Sequence, residues 1–280
     1  MKNNVQFSVL MSVYKKEEVK YFIEALDSVI NQTVSPSQIV LVRDGLVPQE
    51  LQTTIDKYLE KYSGLFTYVP LEENGGLGKA LRLGLTYCKY DFVARMDTDD
   101  ICVSDRFEQQ LSFLRDNPDV DIVGGDISEF SLSPDQVVDF RLVPKTHEEI
   151  VACLKKRCPF NHMTVMFKKE AIERANSYED FYLFEDWYLW IRMYLHNAKF
   201  ANLNKVLVNV RIGDMANRRG GIKYYKSYAA LLKYMRKNKM IGGIAALKMK
   251  IIRFTGYVLL PAKLRKAAYK KFLRKSKNVQ

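Results

Sequence analysis

The chain has 280 residues, 48% hydrophobic and 27% charged, a balance that suits one large folded domain with an appendage and argues against general disorder. Its four cysteines (Cys88, Cys102, Cys153, Cys158) are irregularly spaced, with no C-x-x-C pair, so neither a disulfide framework nor a zinc site is indicated and a reducing compartment fits. The net charge of +12 is uneven: no Asp or Glu follows Asp214, while 19 Lys and Arg do, so an acidic body carries a basic tail suited to an anionic partner.

The N-terminal "MKNNVQFSVLMSVY" passes from polar residues straight into a short apolar run, and no signal peptide is read there. Buried strands are expected at 7–13, 39–44, 65–71, 91–97 and 120–127, all rich in Val, Ile, Leu and Phe. Helices are expected at 18–31, 49–62, 77–88 and 104–115; in the first, Val19, Phe22, Ile23, Leu26, Val29 and Ile30 share one face. This alternation predicts an α/β fold, a mostly parallel sheet with helices on both faces. Ligands of such sheets bind beyond the carboxyl ends of the strands. Tyr14, Asp44 and Asp97 each close an apolar strand there. From 130 to 215 the alternation fades and aromatics accumulate in "YEDFYLFEDWYLWIRMYLHNAKF", whose second half reads as helix. From 222 onward the chain is helical and basic.

In "ARMDTDD", Asp97 and Asp99 lie two apart, on one side of an extended segment, and Asp100 follows. Paired carboxylates at a strand end suit a hard divalent cation that keeps positions open for phosphate oxygens; an acidic turn before a helix is the plainer reading. The position after a buried strand, with Arg106 and Gln110 downstream, favours the metal. "EENGGLGKAL" fails both the P-loop and the dinucleotide glycine patterns and reads as a turn, although Lys79 at the helix start is placed to meet a phosphate. Asp44 suits either a turn with Gly45 or an acceptor for a nucleotide base N–H, and Tyr14 either strand-end packing or a platform for that base. Glu185 and Asp186 beside Trp187 are either a helix N-terminal pair or the source of a general base. His162 reads as a structural histidine or, with Asp99, a ligand.

Taken together, Ser8–Tyr14, Asp44, "NGGLGKA", "ARMDTDD…DRFEQQ", "PFNHMTVMF" and "FEDWYLWIRM" resemble an inverting family 2 glycosyltransferase of the GT-A fold over about residues 5–215. The closest likeness is to bacterial enzymes that assemble capsular or exopolysaccharide repeat units. "RIGDMANRRGG" and "LLPAKLRKAAYKKFLR" extend it into the tail. The resemblance implies a nucleotide-sugar half (about 5–128) and an acceptor half (129–215). Tyr14 and Asp44 would contact the base, usually uracil. Asp97 would sit near the ribose, and Asp99 would hold Mg²⁺ or Mn²⁺ against the diphosphate of a UDP-sugar. Asp186 would be the catalytic base, with His162 and Arg211 near the diphosphate or a lipid-linked or glycan acceptor.

The tail, 216–280, is expected as a basic helical region on an anionic membrane surface, the enzyme being cytoplasmic and peripheral. Lys248, Lys250 and Arg253 interrupt the apolar stretch 241–262, at about 2.5–3.5 kcal/mol each for a span, so an interfacial helix is favoured over a crossing one. A helix packed on the body is the alternative. A processive membrane-embedded synthase would need transmembrane helices and Q-x-x-R-W, which are missing. A sugar-1-phosphate nucleotidyltransferase would need glycines where "VYKKEEVKY" stands. A nucleic-acid-binding protein would use the tail as a phosphate grip, which the D-x-D and the acidic body disfavour.

Overall fold

The computed structural model describes residues 5–212 and 220–259. Four parallel strands come first: β1 (Phe7–Val13), β2 (Gln38–Arg43), β3 (Phe66–Pro70) and β4 (Phe92–Met96). They are linked by helices α1 (Val19–Ile30), α2 (Gln49–Lys61) and α3 (Leu77–Tyr87). The expected bounds are met within two residues because every strand is rich in apolar residues and every helix carries one apolar stripe.

After β4 come a two-residue β5 (Ile101–Cys102), α4 (Arg106–Asp116), β6 (Ile122–Phe130), β7 (Val137–Arg141), α5 (His147–Leu154) and a 3₁₀ turn at His162–Thr164. Next are β8 (Met166–Lys168), α6 (Lys169–Arg174), α7 (Glu185–Leu195) and β9 (Phe200–Arg211). The strand order is β3-β2-β1-β4-β8-β6-β9-β5, with β7 on β6. The parallel series therefore ends at β4, where β8 joins antiparallel. Beyond it, β9 lies parallel to β6 and antiparallel to β5. β5, β7, β8 and β9 were not among the expected strands. β5 and β8 are two and three residues long, too short for periodicity to register, and β9 interrupts its apolar pattern with Asn202, Asn204 and Lys205.

The sheet divides two cores. Alternation along β1 sends Val9 and Met11 to the face covered by α1, α2 and α4, and Leu10 to the face covered by α3, α5, α6 and α7. Contact on that second face is close at Gly84 of α3, where an added Cβ would stand 2.5 Å from Leu10 Cδ1.

Two helices follow β9. In α8 (Gly221–Lys237), Tyr224, Tyr228, Leu231, Leu232 and Met235 are buried in the same core as α7, and Tyr228 packs against Phe184 and Trp187. This part of the tail shares the body's core. In α9 (Gly243–Phe254) only Ala246 is buried. A short π-helical stretch, 255–259, ends the described chain, so 260–280, most of "LLPAKLRKAAYKKFLR", and 213–219 within "RIGDMANRRGG" lie outside the described residues.

Candidate active site

The neighbours β2, β1 and β4 end side by side, which brings Asp44, Tyr14 and Asp97 to one edge of the sheet. Asp44 is buried, and its carboxylate organises the glycine-rich turn: Oδ1 accepts from Gly75 N at 2.7 Å, Oδ2 from Gly76 N at 3.0 Å and Asn74 Nδ2 at 2.9 Å. The turn is thereby anchored, and Oδ1 keeps capacity for one more donor. Gly45 is required beside it: its φ is +84°, and a Cβ would stand 2.7 Å from Asn74 N. Lys79 lies in the first turn of α3, 3.9 Å from Asp180, with both side chains exposed.

Asp97, Asp99 and Asp100 each offer a carboxylate oxygen within 4.8 Å of the others. Asp97 Oδ1 is 2.5 Å from Arg95 Nη2, and Asp100 Oδ1 accepts from Arg211 N at 2.9 Å. Asp99, the exposed member, has its acid pushed up to about 6 by local desolvation and then by Asp97; that of Asp100, fully buried, is raised well above its usual range by burial, Asp99 and Asp97. Protein charge thus leaves the cluster undercompensated, and an all-oxygen set this compact fits a hard divalent cation. His162 is not part of it, and among the described residues this is the only such group of three or more.

Sequence reasoning missed a fourth carboxylate. Glu17, in the loop after Tyr14, accepts from Thr98 Oγ1 at 2.5 Å, and its acid is raised to about 7, first by burial, with Asp99 and Asp97 adding to the effect. The signal was its place just past a strand end, hidden among the charges of "YKKEEVK". Arg211 reaches the cluster from the end of β9. Its Nε donates to the Asp99 carbonyl, its Nη2 meets Glu24, and its guanidinium lies 3.8 Å from the Tyr21 ring and 4.7 Å from that of Phe130.

Below the cluster, Arg95 is buried with Nε and Nη1 unpartnered. Its charge is the second cause, after burial, that pushes His162 well below the usual imidazole range, so His162 is neutral near pH 7. His162 Nε2 lies 3.0 Å from the Tyr178 hydroxyl, whose own acidity is suppressed by burial and influenced by Arg95, Asp186 and Glu185. The His162–Tyr178 pair thus feels both the charge of Arg95 and the carboxylates at the start of α7. Arg106 and Gln110 work from underneath: Arg106 Nη2 donates to the Arg95 carbonyl at 2.8 Å, and Gln110 Nε2 to those of Val123 and Thr164.

Asp186 sits in the first turn of α7. Its Oδ1 accepts from Trp187 N at 2.6 Å, and Cys158 Sγ stands 3.4 Å from its Oδ2. Glu185 packs beside Gly78, next to Lys79, so the starts of α3 and α7 adjoin. A metal-suited carboxylate cluster and a separate, half-buried carboxylate across a polar bridge are the parts a group transfer between a diphosphate ester and a hydroxyl needs.

The family model for glycosyl transferase family 2 matches residues 8–174, and the chain belongs to that family. It is 38% identical over 266 residues to the amylovoran biosynthesis glycosyltransferase AmsE of Erwinia amylovora, covering 95% of this chain and 98% of that one. It is also 38% identical to the UDP-Gal:alpha-D-GlcNAc-diphosphoundecaprenol beta-1,3-galactosyltransferase of Escherichia coli, covering 96% and 97%. S. aureus TarS 1-349 in complex with UDP-GlcNAc superposes with a TM-score of 0.66 at 17% identity, over 96% of this chain and 76% of that one. A mannosyltransferase from Pyrobaculum calidifontis in complex with GDP-Man and Mn²⁺ gives 0.59 at 17% identity, over 95% and 81%. The fold is GT-A, and the chain is a glycosyltransferase related along its whole length to enzymes of bacterial polysaccharide synthesis.

Proposed function

We propose that the protein is a metal-dependent inverting glycosyltransferase moving a hexose-type sugar from a UDP-sugar to a hydroxyl of a lipid-linked or oligosaccharide acceptor, in surface polysaccharide synthesis. The observation that carries this reading is the pairing of the Asp97–Asp99–Asp100 cluster with Asp186 across Arg95, His162 and Tyr178. The E. coli relative acts, by its name, from UDP-Gal onto a diphosphoundecaprenol-linked sugar, which supports both donor and acceptor class.

Asp99 would hold Mg²⁺ or Mn²⁺, with Asp97 near the ribose and Asp100 beside them, and a bound ion would neutralise charge on the departing diphosphate. Tyr14 and the free capacity of Asp44 serve the base, and Lys79 and Arg211 lie toward the phosphates. Asp186 Oδ2 removes the acceptor hydroxyl proton as that oxygen attacks the anomeric carbon from the side opposite the diphosphate, so one displacement inverts the configuration. Neutral His162 keeps Tyr178 fixed between the two halves. No helix among the described residues is long and apolar enough to cross a membrane. The exposed apolar flank of α9, with Lys248 and Lys250, supports docking on the inner face of an anionic membrane.

Calorimetric titration with UDP tests the reading. Binding in Mn²⁺ that disappears with chelator is expected, and absence of binding under both conditions overturns the UDP assignment. Retention of near-normal transfer by Asp186→Asn overturns the base.

A further inference from the structure

A second cationic site lies outside this machinery. Between the end of α5 and the inner side of α9 is a cavity of about 360 Å³ lined by Ala152, Cys153, Lys156, Arg157 and Arg253. Its volume falls within the ~300–1,000 Å³ of small-ligand sites. Lys156, Arg157 and Arg253 line it and no carboxylate does. Among the described residues none of the three makes an ion pair. Arg253 is held in place, with Nη1 donating to the Tyr257 hydroxyl at 2.8 Å and the guanidinium facing the rings of Tyr228 and Tyr257. A fixed guanidinium with two flanking cations is a complement for phosphate oxygens.

Two further facts narrow the ligand. Ile244, Leu247, Ile251 and Ile252 recur at helical spacing on α9 and are 58–76% exposed, an apolar flank on the helix that supplies Arg253. On the other side, Arg157 is bonded to Cys158, whose Sγ stands 3.4 Å from Asp186 Oδ2, and the Leu154 carbonyl accepts from Trp187 Nε1 at 2.9 Å. The cavity thus joins the end of α5, which bonds to the start of α7, to a helix whose apolar flank is exposed.

We propose that this cavity binds the diphosphate of a lipid-linked acceptor, with its hydrocarbon chain along the flank of α9 and its sugar directed toward Asp186. The proposal rests on the acceptor reading above and adds where the acceptor is gripped. A scattered basic surface would serve a bilayer equally well; three cations lining one cavity serve a single headgroup.

Cys153 is a reporter inside the cavity. Its alkylation by iodoacetamide is followed by peptide mass spectrometry on the full chain in EDTA, which silences the metal site. Farnesyl diphosphate is expected to slow the reaction at least tenfold, and farnesol or inorganic pyrophosphate by less than threefold. The double variant Lys156→Gln, Arg157→Gln is expected to lose the protection while keeping its melting temperature and its Mn²⁺-dependent UDP titration. No protection in the unaltered chain, or equal protection in a folded double variant, overturns the proposal. Equal protection by phosphatidylglycerol vesicles reassigns the cavity to the bilayer and also overturns it. Normal UDP binding without protection removes this site alone; protection without UDP binding removes the donor reading instead.

Discussion

The aspartate cluster and Asp186 are built on opposite terms. At the aspartate cluster, like charges crowd, and the acids of Asp99 and Asp100 rise, a set of oxygens that suits a cation. At Asp186 each oxygen already has a neighbour, Trp187 N on one side and the Cys158 thiol on the other. The first arrangement suits the proposed cation, the second the proposed general base. The lesson is that two aspartates of one site can be assigned different work from their partners alone.

Substitution at each site separates them. Asp186→Asn should lower transfer about 10²–10⁴-fold, the usual worth of a positioned general base, while UDP affinity stays within twofold by calorimetry. Asp99→Ala should do the reverse at the binding step, removing the Mn²⁺-dependent part of UDP affinity. It should also raise the melting temperature of metal-free protein near neutral pH, because one of three crowded charges is gone.

Gly45→Ala sharpens the comparison from the donor side only. The +84° φ and the clash with Asn74 should cost about 1–3 kcal/mol of stability, read by urea unfolding. KM for the nucleotide sugar should rise with little change in kcat, since the Asp44-anchored turn is proposed to serve the donor base and not the acceptor.

The smallest expected effect is on pH dependence. Glu17 has an acid raised from 4.5 to about 7 in the folded state. Unfolded chains release that proton at lower pH, so metal-free stability should fall as pH rises from about 4.5 to 7, by about 1–2 kcal/mol after allowance for solvent screening. Saturating Mn²⁺ should flatten the slope. A metal-free melting temperature that rises over this window would contradict the raised acid.

Much of this was legible in the sequence, and the reason is local. Strands such as "IVLV" in β2 are continuous apolar runs, and a strand's end is where a parallel sheet puts its chemistry, so the place of Asp44 and Asp97 at the strand ends was readable. What escaped depends on pairs far apart in the chain. Glu17 meets Thr98 across 81 residues, and Arg211 meets Asp100 across 111. No periodicity encodes such meetings. Cys158 escaped for another reason: its relevance comes only from standing beside Asp186. The tail divided in the same way. Its first helix belongs to the body because its tyrosines bury beside Phe184 and Trp187, which charge counting alone could not reveal.

The bond from Arg211 N to Asp100 has a consequence in time. On a ribosome adding ~5–20 residues per second, the 111 residues between them take roughly 5–20 s to appear. For that interval the nascent chain carries the aspartates of β4 without the strand that closes over them. A cation arriving early would meet a half-built cradle, so metal loading should follow completion of β9, not precede it.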